Sequence, residues 1–350
     1  MSHRIVVRTT PDWFRRPHPI SFALAVLMLL SVDVPAVWSQ TVTATVPVGM
    51  PFGVEVDGDD VWVTSITDES VGLISPDDRY RPLIGGAEAG VFQWPHEVRV
   101  GDAQQLYIAD TRNHRIIRVD TDGGSAEQAD PADHRYQVIA GTGKAGFADG
   151  PGGSALFNQP HSVVVLDAKT LLIADTKNHR IRKLDLKSGV VSPFCGDGSP
   201  ELPKDGQARQ QASLFGPRSL AVDDTSIWIA LREGNSIWRL DRATDTLHHI
   251  AGNGQKGYDG DGGSAKAATM NGPKGLDIDA EGGVLVVDTE NHCVRRVDVA
   301  ADRIETVLGG NQAAKTTELK RPHGIAATGQ GRSFWLADSE NDRMLLFEDQ

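Results

Sequence analysis

The chain has 350 residues, 39% of them hydrophobic and 23% charged, with two cysteines and a formal net charge of −12. That length suits one large domain with a continuous core, and two cysteines are too few for a disulfide-built scaffold. The acidic balance argues against nucleic-acid binding, because phosphate affinity comes from counterions displaced by Lys and Arg.

The first 39 residues read as a segment apart. Arg4, Arg8, Arg15 and Arg16 form a basic leader, and Ile20 to Val32 is an apolar run of 13 residues. Such a run is short for a bilayer span, and the small residues Ala36 and Ser39 follow it. The pattern predicts a secretory signal peptide over 1–39 and a secreted or periplasmic protein; an uncleaved membrane anchor is the rival reading. Residues 41–350 then form the folded domain. Thr41 to Val48 alternates cleanly between polar and apolar, as a strand does.

From Pro51 onward one unit recurs. Ile-Ala-Asp-Thr-x-Asn-His-Arg-Ile occurs at Ile108 and again at Ile173, with variants starting at Val286 and Leu336. Pro95, Pro160 and Pro273 each lie 15 residues before the Asp of their copy, and Pro322 lies 16 before Asp338. Pro51 and Pro217 lead two further units that keep the frame and lose the phrase. Each unit carries four short β-branched or aliphatic runs between Gly, Asp and Asn, and none shows sustained helical periodicity. Six such units predict an all-β, six-bladed β-propeller of four-stranded antiparallel blades. The last unit is one strand short, so the segment from Thr41 is expected to supply its outer strand and close the ring.

The repeated Asp-Thr-x-Asn-His phrase, in register with its proline, resembles the NHL-repeat family of secreted bacterial type, over roughly residues 50–350. The glycine-rich connections after Ala140 and Ala251 match that family too. The resemblance implies the propeller fold; it leaves function open, since propellers host many activities.

The residue after each leading proline is expected at the channel: Phe52, His96, His161, Arg218, Lys274 and His323. Two chemistries compete there. His96, His161 and His323 could hold a divalent metal such as zinc with an open position. Here the Pro-His pairs also resemble those of peptidyl-amidoglycolate lyase propellers, which implies a metal-dependent lyase or hydrolase. Alternatively His96, His161, Arg218, Lys274 and His323 together bind a small anion such as a carboxylate or phosphate. The leading expectation is a monomeric, non-catalytic binding module, with a protein or small anionic ligand on its loop-rich face and no resident cofactor.

The remaining motifs are structural on this reading. Asp110, Asp175, Asp288 and Asp338, with the Asn three residues later and His114, His179 and His292, hold hairpin turns. The fourth unit departs from the phrase at Arg232 and Glu233, which makes those two candidates for specificity. Gly141-x-Gly143-x-x-Gly146 and Gly252-x-Gly254-x-x-Gly257 fit a dinucleotide fingerprint but lack the helix it needs. Asp259-Gly-Asp261 lacks the remaining calcium ligands. The long loops 141–159, 196–216 and 252–272 are expected to carry recognition, with Phe147 and Tyr258 anchoring them.

Overall fold

The computed structural model describes residues 40–102, 105–121, 135–310 and 317–349. The leader proposed for 1–39 lies outside the described residues. Within them no helix is long and apolar enough to cross a membrane.

Six antiparallel sheets form the blades. Blade one comprises Pro51–Asp57, Asp60–Ser65, Ser70–Ser75 and Arg79–Gly85. Blade two runs from Pro95–Val100 through Gln105–Asp110 and Arg115–Asp120 to Arg135–Ala140. Blades three, four and five begin with Pro160–Asp167, Pro217–Val222 and Pro273–Ile278. Blade six has Ile325–Ala327, Phe334–Asp338 and Arg343–Asp349. Its fourth strand is Gln40–Pro47, which pairs antiparallel with Arg343–Asp349, Gln40 opposite Asp349 and Pro47 opposite Arg343. The innermost strands touch in chain order and the sixth touches the first, so the ring is closed.

Alternation along the strands explains the packing. In Thr170–Asp175 and Ser226–Leu231 both faces are buried, because each sheet is covered by a neighbour on either side. Six apolar clusters result, one between each successive pair of blades. Leu172, Leu220, Ile229 and Trp238 meet between blades three and four, for example. No blade buries its own faces, which is why the unit must repeat.

Two of the long loops add a short strand to their blades. Gly150–Pro151 pairs with Val190–Val191 as a fifth strand of blade three, and Gln207–Ala208 does the same for blade four. These loops cover open sheet edges that would otherwise expose unpaired backbone groups. Gln159, at the end of the first of these loops, lines the axial cavity. Phe147 and Tyr258 anchor as expected: Arg180 and Arg182 lie over the Phe147 ring, and the Tyr258 hydroxyl meets Thr306 at 2.9 Å. Both glycine-rich motifs sit in these loops. Among the described residues every helical turn is a three-residue 3₁₀ turn, so the helix a dinucleotide site needs is absent. Asp261 is occupied by Arg295 at 2.9 Å.

Candidate functional site

The repeated phrase builds the joints between blades. Asp175 ends the second strand of blade three with its side chain fully buried. One carboxylate oxygen accepts from the Asn158 backbone N–H at 2.7 Å; the other accepts from Asn178 at 2.7 Å and Arg182 at 3.0 Å. Asp110, Asp288 and Asp338 repeat this arrangement. The following hydroxyl reaches across to the next blade: Thr111 donates to the Pro160 carbonyl, Thr176 to Pro217, Thr289 to Pro322 and Ser339 to Pro51. The histidine then adopts a left-handed conformation, as His179 does at φ 55°. Its Nδ1 accepts the N–H of the residue before the next proline, His114 from Gln159, His179 from Gly216 and His292 from Arg321. Asn235 and Asp342 take over where the phrase is lost. The turn-holding role extends to a latch between blades.

These joints fix each leading proline, and with it the residue that follows. Phe52, His96, His161, Arg218, Lys274 and His323 all line one cavity of about 390 Å³ on the axis. Below the ring the space narrows to about 20 Å³, room for roughly one water. The register read from the phrase therefore does bring the six residues together. Round the ring Phe52 stacks on His323 with centroids 3.9 Å apart, and meets His96 edge-on at 4.7 Å. His96 meets His161 edge-on at 4.6 Å.

Hydrogen bonds assign the imidazole tautomers. His96 Nδ1 lies 3.0 Å from the Trp94 carbonyl, which can only accept. His161 Nδ1 lies 2.9 Å from the Thr176 hydroxyl, whose proton already goes to Pro217. His323 Nδ1 faces the Arg321 carbonyl and the Ser339 hydroxyl, which donates to Pro51. Each imidazole therefore donates from Nδ1 and keeps a lone pair on Nε2. That of His323 receives Lys274 Nζ at 3.1 Å. Burial, joined by the charge of Arg218, holds His96 well below the usual histidine range; burial and Lys274 do the same for His323. Both rings are neutral at physiological pH.

The cations are the unusual members. Lys274 pairs with Glu290 at 3.1 Å, and burial outweighs that pairing to push its pKa down to about 7. Arg218 is 8% exposed and, among the described residues, has neither a hydrogen-bond nor an ion-pair partner. Burial, then the charge of Arg232, pushes it down to about 9, so it remains charged at neutral pH. The cavity wall carries six cations, Arg112, Lys177, Arg218, Arg232, Lys274 and Arg321, against Glu233 and Glu340. Arg232 and Glu233, flagged by the irregular fourth unit, stand on this rim, paired at 2.9 Å, and Lys177 joins Glu233 at 3.1 Å. Trp94 and Arg112 were not anticipated; the guanidinium of Arg112 lies 3.4 Å from the centre of the Trp94 ring.

The three-histidine metal set does not fit. Phe52 stands between His323 and His96, His323 Nε2 is taken by Lys274, and the positive charge of Arg218 acts on the histidines. Among the described residues no group of three or more His, Cys, Asp or Glu is placed to hold a metal ion.

Beneath the ring lies a charged cluster that the phrase gave no hint of. Arg99 bridges Glu97 at 2.6 Å and Glu55 at 3.2 Å. One guanidinium cannot compensate both carboxylates, and burial pushes each to about 7.

Three segments, residues 92–118, 157–184 and 270–297, match the NHL repeat model. These three segments are NHL repeats, set in a six-bladed propeller. The matched NHL repeats cover the three joints with the most complete phrase. Bovine NHL repeat-containing protein 2 is 26% identical over 282 residues, spanning 70% of this chain and 37% of that protein. The human protein of the same name is also 26% identical, over 292 residues. The chain thus spans under two fifths of the length of these relatives. Among solved structures, an auxiliary nutrient binding protein from Bacteroides thetaiotaomicron superposes with a TM-score of 0.62 at 15% identity, over 86% of this chain and 69% of that one. A catalytically inactive virginiamycin B lyase from Staphylococcus aureus, solved with quinupristin, gives 0.54 at 14%, over 89% and 98%. At such identities the likeness is one of fold.

Proposed function

We propose that this NHL-repeat propeller is a secreted, non-catalytic binding module that captures a small organic or inorganic anion in its axial cavity. One observation carries the reading: Arg218, buried and charged, faces that cavity with no hydrogen-bond or ion-pair partner among the described residues. A buried unpaired guanidinium costs several kcal/mol unless a counter-charge arrives. A carboxylate or phosphate would supply it, with Lys274 alongside as a second donor. The six-to-two excess of cations on the wall focuses anions into the well of an otherwise acidic protein. A cavity of about 390 Å³ matches small-ligand sites. The nutrient-binding role named for a fold neighbour agrees with a binding module, and the basic leader and apolar run agree with export.

Titration calorimetry of the full-length chain with inorganic phosphate and with acetate tests this. Both anions should bind, with binding lost in Arg218→Met. In the absence of anion the same variant should be more stable, by about 1–3 kcal/mol, because it removes an uncompensated buried charge. Absence of anion binding by the wild type, or unchanged binding by Arg218→Met, would overturn the reading.

A further inference from the structure

Arg218 and Lys274 occupy two consecutive places in the axial ring, on blades four and five, and His161 and His96 occupy the two before them. The two pairs offer opposite hydrogen-bonding character. Arg218 and Lys274 can only donate. His96 and His161 spend their Nδ1 protons on Trp94 and Thr176. Their Nε2 lone pairs have no protein partner among the described residues, on rings that line the cavity. His96 is 7% exposed as a residue, so this acceptor belongs to a nine-tenths-buried side chain on the cavity wall.

A bare anion satisfies only half of this wall. Its oxygens would meet the guanidinium well and the imidazole lone pairs badly, acceptor against acceptor. We infer that the ligand is a hydroxy acid: a carboxylate held by Arg218 and Lys274, with a hydroxyl on a neighbouring carbon donating to Nε2 of His96 or His161. This rests on the axial anion reading above and narrows it from charge to a donor and acceptor pattern. Sites that reserve a buried polar group for a ligand hydroxyl discriminate strongly against the analogue lacking it, because the protein group is then left unpaired. A simple carboxylate or fully ionised phosphate would be a weaker occupant of the same well. Monohydrogen phosphate, which keeps one P–O–H, would fall between.

Two matched pairs of probes read this directly: glycolate against acetate, and lactate against propionate, each pair differing by one hydroxyl. Titrated into the full-length chain at neutral pH, the hydroxy acid of each pair should bind at least about tenfold more tightly. His161→Phe and His96→Phe keep an aromatic ring in place and remove the acceptor. Each should weaken the hydroxy acid of a pair more than its partner, and so shrink the preference. Equal affinity within each pair, with all four probes weakened by Arg218→Met, would overturn the hydroxy-acid inference and leave the anion reading intact. A preference that survives both His→Phe changes would overturn the assigned role of the imidazoles. Failure of all four probes and of inorganic phosphate to bind would remove the anion reading itself. If a Phe variant does not fold, the wild-type comparison within each pair still decides.

Discussion

Asp175 shows how a residue that looks catalytic in the sequence becomes structural in the fold. A buried carboxylate next to a histidine-containing motif invites a reading as acid or base. Its oxygens are instead spent on Asn158, Asn178 and Arg182. Arg182 is itself fully buried and keeps Asp149 and the Ala148 and Leu156 carbonyls, so Asp175→Ala would remove one of its two carboxylates and leave the Asn158 N–H and the Asn178 amide without this acceptor. A loss of about 1–3 kcal/mol is expected, measurable by denaturant unfolding, with Asp175→Asn milder. The carboxylates below the ring act in the other direction. Glu55 is raised from its ordinary value to about 7, so the folded state holds a proton that the unfolded chain has lost between pH 4.5 and 7. Its contribution is therefore complete below pH 4.5 and lost as pH rises through 7. Glu55→Gln should raise the melting temperature at pH 8 and flatten the profile across that window. A steeper profile in the variant would contradict the shared-guanidinium account of Glu55, Glu97 and Arg99. This cluster was not legible beforehand, because the repeat draws the eye to the residue after the proline. The charged residues Glu97 and Arg99 on a buried inner strand were the available signal.

Among elements, the joint between blades is the unit of design. A left-handed residue, a hydroxyl to the next proline carbonyl and a side-chain acceptor for the next N–H recur round the ring. Thr176→Val would leave the Pro217 carbonyl without its donor and should cost about 1–3 kcal/mol. The imidazole acceptors work only when neutral. Burial lowers the pKa of His114 and His179. The latch they provide is thus present above the unfolded histidine value, about 6.5, and lost as pH falls below it. Blade four already uses Asn235 in the same left-handed place, so His114→Asn, His179→Asn and His292→Asn combined should keep the latch. Thermal melts of the triple variant between pH 5 and 6.5 should fall less steeply than those of the wild type. The four-strand plan of each blade was readable from alternation and punctuation. The added fifth strands were not, because Gly150–Pro151 and Gln207–Ala208 are two residues long and carry no apolar period.

At the scale of the whole molecule, the register of one phrase was enough to place six side chains on a common axis. Spacing reports position and says little of protonation or partners. That Arg218 lacks an ion-pair partner among the described residues while Lys274 has Glu290, and that Phe52 separates two of the three histidines, required the packed ring. The missing outer strand of blade six was legible because the last unit is visibly short and an alternating segment waited upstream. Closure is a long-range event: the Met50 N–H meets the Asp342 carboxylate, and Val46 and Val48 are buried against blade six and blade one. Deleting residues 40–48 should therefore expose the outer edge of blade six. The expected result is a lower melting temperature and concentration-dependent association in size-exclusion chromatography.

The same closure has a mechanical meaning. Gln40 lies directly opposite Asp349 in an antiparallel pair, so both chain ends leave the ring at one corner. Tension applied between them loads the closing hydrogen bonds one at a time, as in a peeling zip, rather than all together in shear. In an optical trap the first event should be a low-force step of the length of this one strand, with the other five blades still intact and the ring free to snap shut when the load is relaxed.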